Sequence, residues 1–150
     1  MSDQIIKIII AGALLLQGLS HGKAFLALLT DASRSEGQPP VPVRSWLMPS
    51  LSIRNAAIIA SLFWLLATLG FIAAALVFWG IFLPGETWRQ LAIASSVVSS
   101  LGIIIFSGIW PGAPNRKLAR TDTVIALVIN AAILVLLLWF GWPPESMFGN

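Results

Sequence analysis

Four long apolar runs separated by short polar breaks organise this chain, at about residues 5–29, 55–83, 88–110 and 123–142. At a rise of 1.5 Å per residue, about 20 residues cross a hydrocarbon core of roughly 30 Å. Each run therefore predicts one membrane-crossing helix, and the chain reads as an all-α, four-helix transmembrane bundle forming a single domain over residues 1–150. The first run is interrupted by Gln17-Gly18-Leu19-Ser20-His21-Gly22-Lys23. A charge held at mid-bilayer costs roughly 3 kcal/mol or more. The other helices are thus expected to shelter this stretch.

The breaks carry turn and loop chemistry. Residues 30–54 include Pro39-Pro40-Val41-Pro42, which favours extended polyproline backbone. Ser45-Trp46-Leu47-Met48-Pro49 follows and reads either as a short interfacial segment or as a loop held by one Trp. Pro84-Gly85-Glu86-Thr87 is short, so spans two and three are expected to be antiparallel neighbours. Residues 111–122 form a basic loop, with Thr121 or Asp122 as the expected N-cap of span four. Small residues recur at helical spacing: Gly18 and Gly22 on span one, Gly70 and Ala74 on span two, and Ser95, Ser96, Ser99, Ser100 and Gly102 on span three. In lipid such faces let helix backbones approach closely.

Composition agrees with this pattern. Of 150 residues 57% are hydrophobic and 10% charged, against about 25% charged in soluble domains. The absence of cysteine excludes disulfides, thiolate nucleophiles and Cys-ligated metal. One histidine excludes a bis-His haem and a His-rich metal site. The net charge of +3 comes from basic residues that flank the spans, so they read as topology signals and nucleic acid is not expected as a partner. Met1-Ser2-Asp3-Gln4 lacks the positive leader of a signal peptide, so the first span is expected to be retained.

With four spans, Lys23, Arg34, Arg44, Arg54, Arg116, Lys117 and Arg120 fall on one side, and Lys7 and Arg89 on the other. The positive-inside rule then puts loops 30–54 and 111–122 in the cytoplasm and both termini outside. Trp79, Trp88, Trp139 and Trp142 are expected in an outer aromatic belt, with Trp46 and Trp110 at the inner face and Trp64 alone in mid-span.

Helical rise from the charged ends brings Gln17, Ser20, His21, Ser61, Ser107 and Asn130 into the inner half of the bundle, with Lys23 and Arg54 at its mouth. This polar cluster is the candidate site. Its simplest reading is mutual hydrogen bonding that fixes helix register, with Lys23 snorkelling to headgroups. A second reading has Gln17, His21, Ser61 and Asn130 orienting a lipophilic ligand such as a quinone, pigment or lipid in an apolar cavity. His21 is also able to give one axial nitrogen to a pigment or haem metal, though nothing in the sequence selects a cofactor. All six acids fall outside the predicted hydrocarbon zone, which disfavours a proton-coupled small transporter and a paired-carboxylate enzyme. Adjacent Ser20 and His21 point about 100° apart and make no nucleophile-base pair. No catalytic constellation is recognised.

Gln17-Gly18-Leu19-Ser20-His21-Gly22, Ser45-Trp46-Leu47, Gly70-Phe71, Trp88-Arg89 and Asn130 together resemble a group of small bacterial four-span membrane proteins of unassigned function. The resemblance implies a bacterial inner membrane and supplies no activity. Members of that group commonly carry a second histidine before the glycine, where this chain has Gln17. The excess of small-residue faces points to a non-catalytic accessory or structural subunit of a membrane complex that meets other transmembrane helices, of its own kind or another, with a binding or carrier protein for a lipophilic ligand as one alternative and a small transporter as another. Protease mapping of tags placed at each terminus checks the topology: both are expected to be cut from the outer face, and tags cut from opposite faces would refute it.

Overall fold

A computed structural model describes residues 3–33, 43–81, 84–106 and 110–144, with the side chains of 31–33 excepted. Four α-helices follow one another: α1 (Asp3–Ser33), α2 (Ile53–Phe78), α3 (Thr87–Ile105) and α4 (Arg116–Leu134), the last continued by a π-helical turn over Val135–Trp139. No strand occurs among the described residues. All four helices are long and apolar enough to cross a membrane, so the chain has the make-up of an integral membrane protein.

Consecutive helices run antiparallel, as the pairing of residues along each interface shows. A side chain at Gly18 would meet Ile72, and one at Gly22 would meet Thr68. On the next interface Gly70 lies against Ser95, and Gly102 against Phe63 and Trp64. These small positions let α1 approach α2 and α2 approach α3 closely. Ala11, Leu14, Ala67, Phe71, Ala74 and Ala92 fill one core cluster. Ala24, Leu28, Ala57, Ala60, Trp64, Ile103, Phe106 and Trp110 fill the other. The small-residue faces are therefore occupied within the chain itself.

Two tryptophans depart from the expected belts. Trp88 is buried edge-on to Phe78, with ring centroids 4.9 Å apart. Trp110 is buried too, turned in by the segment that leads to α4, and its ring meets Trp64 at 6.1 Å. Trp46, Trp79, Trp139 and Trp142 remain exposed. Of these, the Trp46 indole donates to the Ile104 carbonyl at 2.5 Å, tying segment 43–51 to the end of α3. That segment is a turn braced by Ser45, whose Oγ accepts from Met48 N, and it holds no helix.

Several helix ends also move from their expected places. Asn115, and neither Thr121 nor Asp122, caps α4, its Oδ1 accepting from Leu118 N at 2.9 Å. Arg116 to Arg120 are good helix formers once capped, so the helix begins ahead of the apolar run and Asp122 lies about 9 Å along α4. Ser52 caps α2 through Asn55 N, and α2 stops at Phe78, where Gly80 takes a positive φ of 77° that suits glycine. Past the π-helical turn, Arg89 of α3 donates to the carbonyls of Gly141 and Pro143 and holds the end of α4 against the bundle.

α1 packs along α2, α2 along α3, and α3 along α4, whereas α1 and α4 face one another across a cleft. Close packing at Gly70 gives a direct test. A methyl there collides with Ser95 Oγ, and overpacking of this kind costs about 1–3 kcal/mol, more than the helix gains from replacing Gly by Ala. Gly70→Ala is expected to lower the unfolding midpoint in detergent, read by circular dichroism. Ser95→Ala in the same chain removes the colliding oxygen and should restore most of the loss.

Candidate functional site

Five side chains from three helices form one hydrogen-bonded chain. Asn130 of α4 donates through Nδ2 to Ser99 Oγ at 2.7 Å and to Ser100 Oγ at 3.3 Å, both on α3. Its Oδ1 is thereby left to accept, and Gln17 Nε2 of α1 supplies the donor at 3.1 Å. His21, one turn above Gln17, sets its Nδ1 2.8 Å from the Gln17 carbonyl and its Nε2 2.6 Å from Ser99 Oγ. A carbonyl only accepts, so Nδ1 carries the proton and Nε2 accepts from the Ser99 hydroxyl. Every bond then has one donor and one acceptor with a neutral imidazole.

The surroundings of this chain are aromatic. The His21 ring lies 5.5 Å from Phe71 and 5.1 Å from Trp110, the latter edge-on at 81°. Gln17, His21, Ser99 and Asn130 are all buried. The helical spacing of Gln17 and His21 puts both on the α1 face that meets α3 and α4, which is why one helix supplies two links.

Ser99 and His21 have the contact geometry of a hydroxyl beside its base. The Ser99 oxygen, however, also receives the Asn130 N–H, and neither Ser99 nor His21 lines the two cavities described below. What the arrangement does chemically is hold α1, α3 and α4 in one register.

The expected cluster is brought together only in part. Gln17, His21 and Asn130 meet as anticipated. Ser61 does not join them: its Oγ donates to the Ile58 carbonyl of its own helix at 2.7 Å, because a serine in a tightly packed α2 satisfies itself on the preceding turn. Ser20 is exposed on the cleft wall, one residue off the buried stripe. Arg54 is exposed at the start of α2 and lines neither cavity. Ser107 lies outside the described residues. Ser99, Ser100, Phe71 and Trp110 were not anticipated as site residues. The signal for Ser99 was its place among four closely spaced serines, which reads equally well as backbone packing.

Beside the chain the cleft opens into a cavity of about 650 Å³ between α1, α4 and the segment 110–113. Gln17, Ser20 and Lys23 line it from α1, Trp110 from the connecting segment, and Asp122 and Ile125 from α4. A second, almost wholly apolar cavity of about 230 Å³ lies further along the same cleft, among Ile10, Leu14, Trp88, Ile133 and Leu137. Ala13 and Ile129 line both. Gln17 is only 5% exposed, yet it belongs to the wall of the larger cavity. Its amide oxygen has no hydrogen-bond partner among the described residues.

The chain matches no family model, no curated protein and no solved structure. The geometry alone therefore carries the functional reading.

Ser99 is the junction of the polar chain, so its loss should be felt more than that of its neighbour. Ser99→Ala leaves His21 Nε2 and Asn130 Nδ2 short of a partner and is expected to destabilise the bundle by about 1–2 kcal/mol, since single interhelical hydrogen bonds in membranes reach at most about that range. Ser100→Ala, which removes only the longer contact, should cost less than half as much. Unfolding titrations in mixed micelles measure both, and equal costs would disprove the junction.

Proposed function

We propose that this protein binds a lipophilic ligand that enters from the bilayer between α1 and α4. The observation that carries the reading is the cleft itself: a cavity of about 650 Å³ with apolar walls and a few convergent polar groups, Gln17, Ser20 and Lys23, continuing into an apolar pocket. Sites for small ligands have this size and this mixture, the polar groups fixing orientation and the apolar wall supplying affinity. Gln17 has one N–H committed to Asn130 and its oxygen still to offer. The hydrogen-bonded chain behind it keeps that oxygen in place and prevents α1 and α4 from drifting apart.

A role as an accessory subunit draws less support. It rested on unused small-residue faces, and Gly18, Gly22, Gly70 and Gly102 are all in use against neighbouring helices of this same chain. The outward surface of α4 is aliphatic, with Val124 and Val128 exposed, as a lipid-facing helix requires.

Ala13 tests the reading, because it lines both cavities and is exposed to the cleft. Ala13→Phe fills the junction and replaces no member of the polar chain. Purified wild-type protein is expected to retain a stoichiometric lipophilic compound through detergent washing, seen by solvent extraction and mass spectrometry, and Ala13→Phe should lose it. Equal retention by both, or a wild type with no bound compound, would count against the cleft as a binding site.

A further inference from the structure

We infer that the ligand of this cleft is an amphiphile whose head group carries both charges, a phosphate and a primary ammonium, as in an ethanolamine phospholipid. The inference rests on the reading of the cleft as a binding site and adds the chemistry of what fills it.

Lys23 and Asp122 line the same cavity from opposite walls, one on α1 and the other on α4. Neither makes an ion pair among the described residues. Both stand near the end of the bundle where segment 110–113 closes over the cleft, and Gly112 there sits against Ala27, one turn beyond Lys23. By helical rise Lys23 lies about 9 Å along α1 from Gln17, towards that end. The charges are thus at head-group height, with the apolar cavity extending away from them along α1 and α4.

A ligand with a single charge fits this arrangement poorly. An anionic head drawn to Lys23 meets Asp122 on the facing wall, and like charges at short range in a medium poorer than water repel. An uncharged ring head, such as that of a quinone, leaves both side chains without partners. A phosphate opposite the Lys23 ammonium and a primary ammonium opposite the Asp122 carboxylate satisfy both, with charge-assisted hydrogen bonds at each end. Below them, the Gln17 amide oxygen and second N–H are available to a hydroxyl or ester group of the ligand backbone, since Asn130 occupies the other N–H. The apolar tail then runs past Ala13 and Ile129 into the second cavity, among Leu14, Ile133 and Leu137.

Simple snorkelling of Lys23 to bulk head groups makes the opposite forecast, because a lone ammonium favours anionic lipid. Native mass spectrometry of the full chain in detergent separates the two, with the protein titrated in turn with phosphatidylethanolamine, phosphatidylglycerol and phosphatidylcholine. Phosphatidylethanolamine is expected to bind roughly fivefold to tenfold more tightly than either of the others, the size of one charge-assisted hydrogen bond near the water boundary. Phosphatidylcholine serves because its methylated ammonium has no N–H to give Asp122.

Asp122→Asn should erase the advantage over phosphatidylglycerol, and Asp122→Glu should retain part of it. Lys23→Gln should weaken phosphatidylethanolamine and phosphatidylglycerol together. Equal or tighter binding of phosphatidylglycerol to the wild type, or a preference untouched by Asp122→Asn, overturns the assignment of the head group. If Ala13→Phe lowers binding of all three lipids while no head-group preference exists, the cleft stands as a site and the two-charge head falls. If Ala13→Phe changes nothing, the cleft reading falls and takes this inference with it.

Discussion

Polar side chains inside a lipid-facing bundle have no water to fall back on, and the arrangement of this chain depends on how they satisfy one another. Backbone groups are settled within each helix, as they must be in hydrocarbon. Gln17, His21, Ser99 and Asn130 have only each other and Ser100. The Gln17 carbonyl accepts from His21 Nδ1, and this decides the tautomer, which decides that Ser99 donates to Nε2. Asn130 then donates to an acceptor position on Ser99 and turns its own oxygen to Gln17. Reversing any one of these amides would set two donors or two acceptors against each other. Such a loop of constraints defines register more sharply than aliphatic packing, where a slide of one turn replaces one methyl by another.

The helix pairs are joined by two different means, and the cleft follows from that difference. At the α1–α2 and α2–α3 interfaces glycines stand where no side chain fits, at Gly18, Gly70 and Gly102, so these surfaces close along their length. α4 offers no glycine among its residues and carries aliphatic side chains on most of its circumference. It is held by Asn130 near its middle and by Arg89 beyond the π-helical turn. Between and above those two ties α4 stands off from α1. Hydrogen bonds fix points whereas small-residue contacts seal lines, and two points leave room between them.

The class of fold was legible because the solvent imposes it: four runs of about twenty apolar residues have few other solutions. Most of the polar chain was legible too, since Gln17 and His21 share a helical face and Asn130 is alone among aliphatic neighbours. Ser99 was not, because serine in a membrane helix serves equally to admit a neighbouring backbone, as Ser95 does opposite Gly70, and to bond its own preceding turn, as Ser95 does with Leu91 and Ser61 with Ile58. Only knowledge of which α3 face meets His21 separates these cases. Trp88 and Trp110 misled for a related reason. Proximity to a span end predicts an interfacial indole, but a ring beside Phe78 or above His21 gains more from burial and edge-on contact than from the head-group layer. Asp122 reads as a cap because a polar residue before an apolar run resembles a helix start, whereas Asn115 begins the helix two turns earlier.

Gln17 links the two halves of this architecture, and its position explains why a structural network and a binding site need not be alternatives. An amide has more hydrogen-bonding capacity than the bond to Asn130 consumes, and Gln17 is buried on the side of the network while its wall faces the cavity. Replacing it by a histidine would exchange a fork of donor and acceptor for a ring whose second nitrogen must take whichever role the first leaves free. A glutamine keeps both roles on one planar group, so one edge can stay locked to α4 while the other remains available to a ligand. Register and recognition are then coupled through a single side chain. A ligand that bonds the Gln17 oxygen polarises the same amide whose N–H holds α4, strengthening the tie across the cleft it occupies.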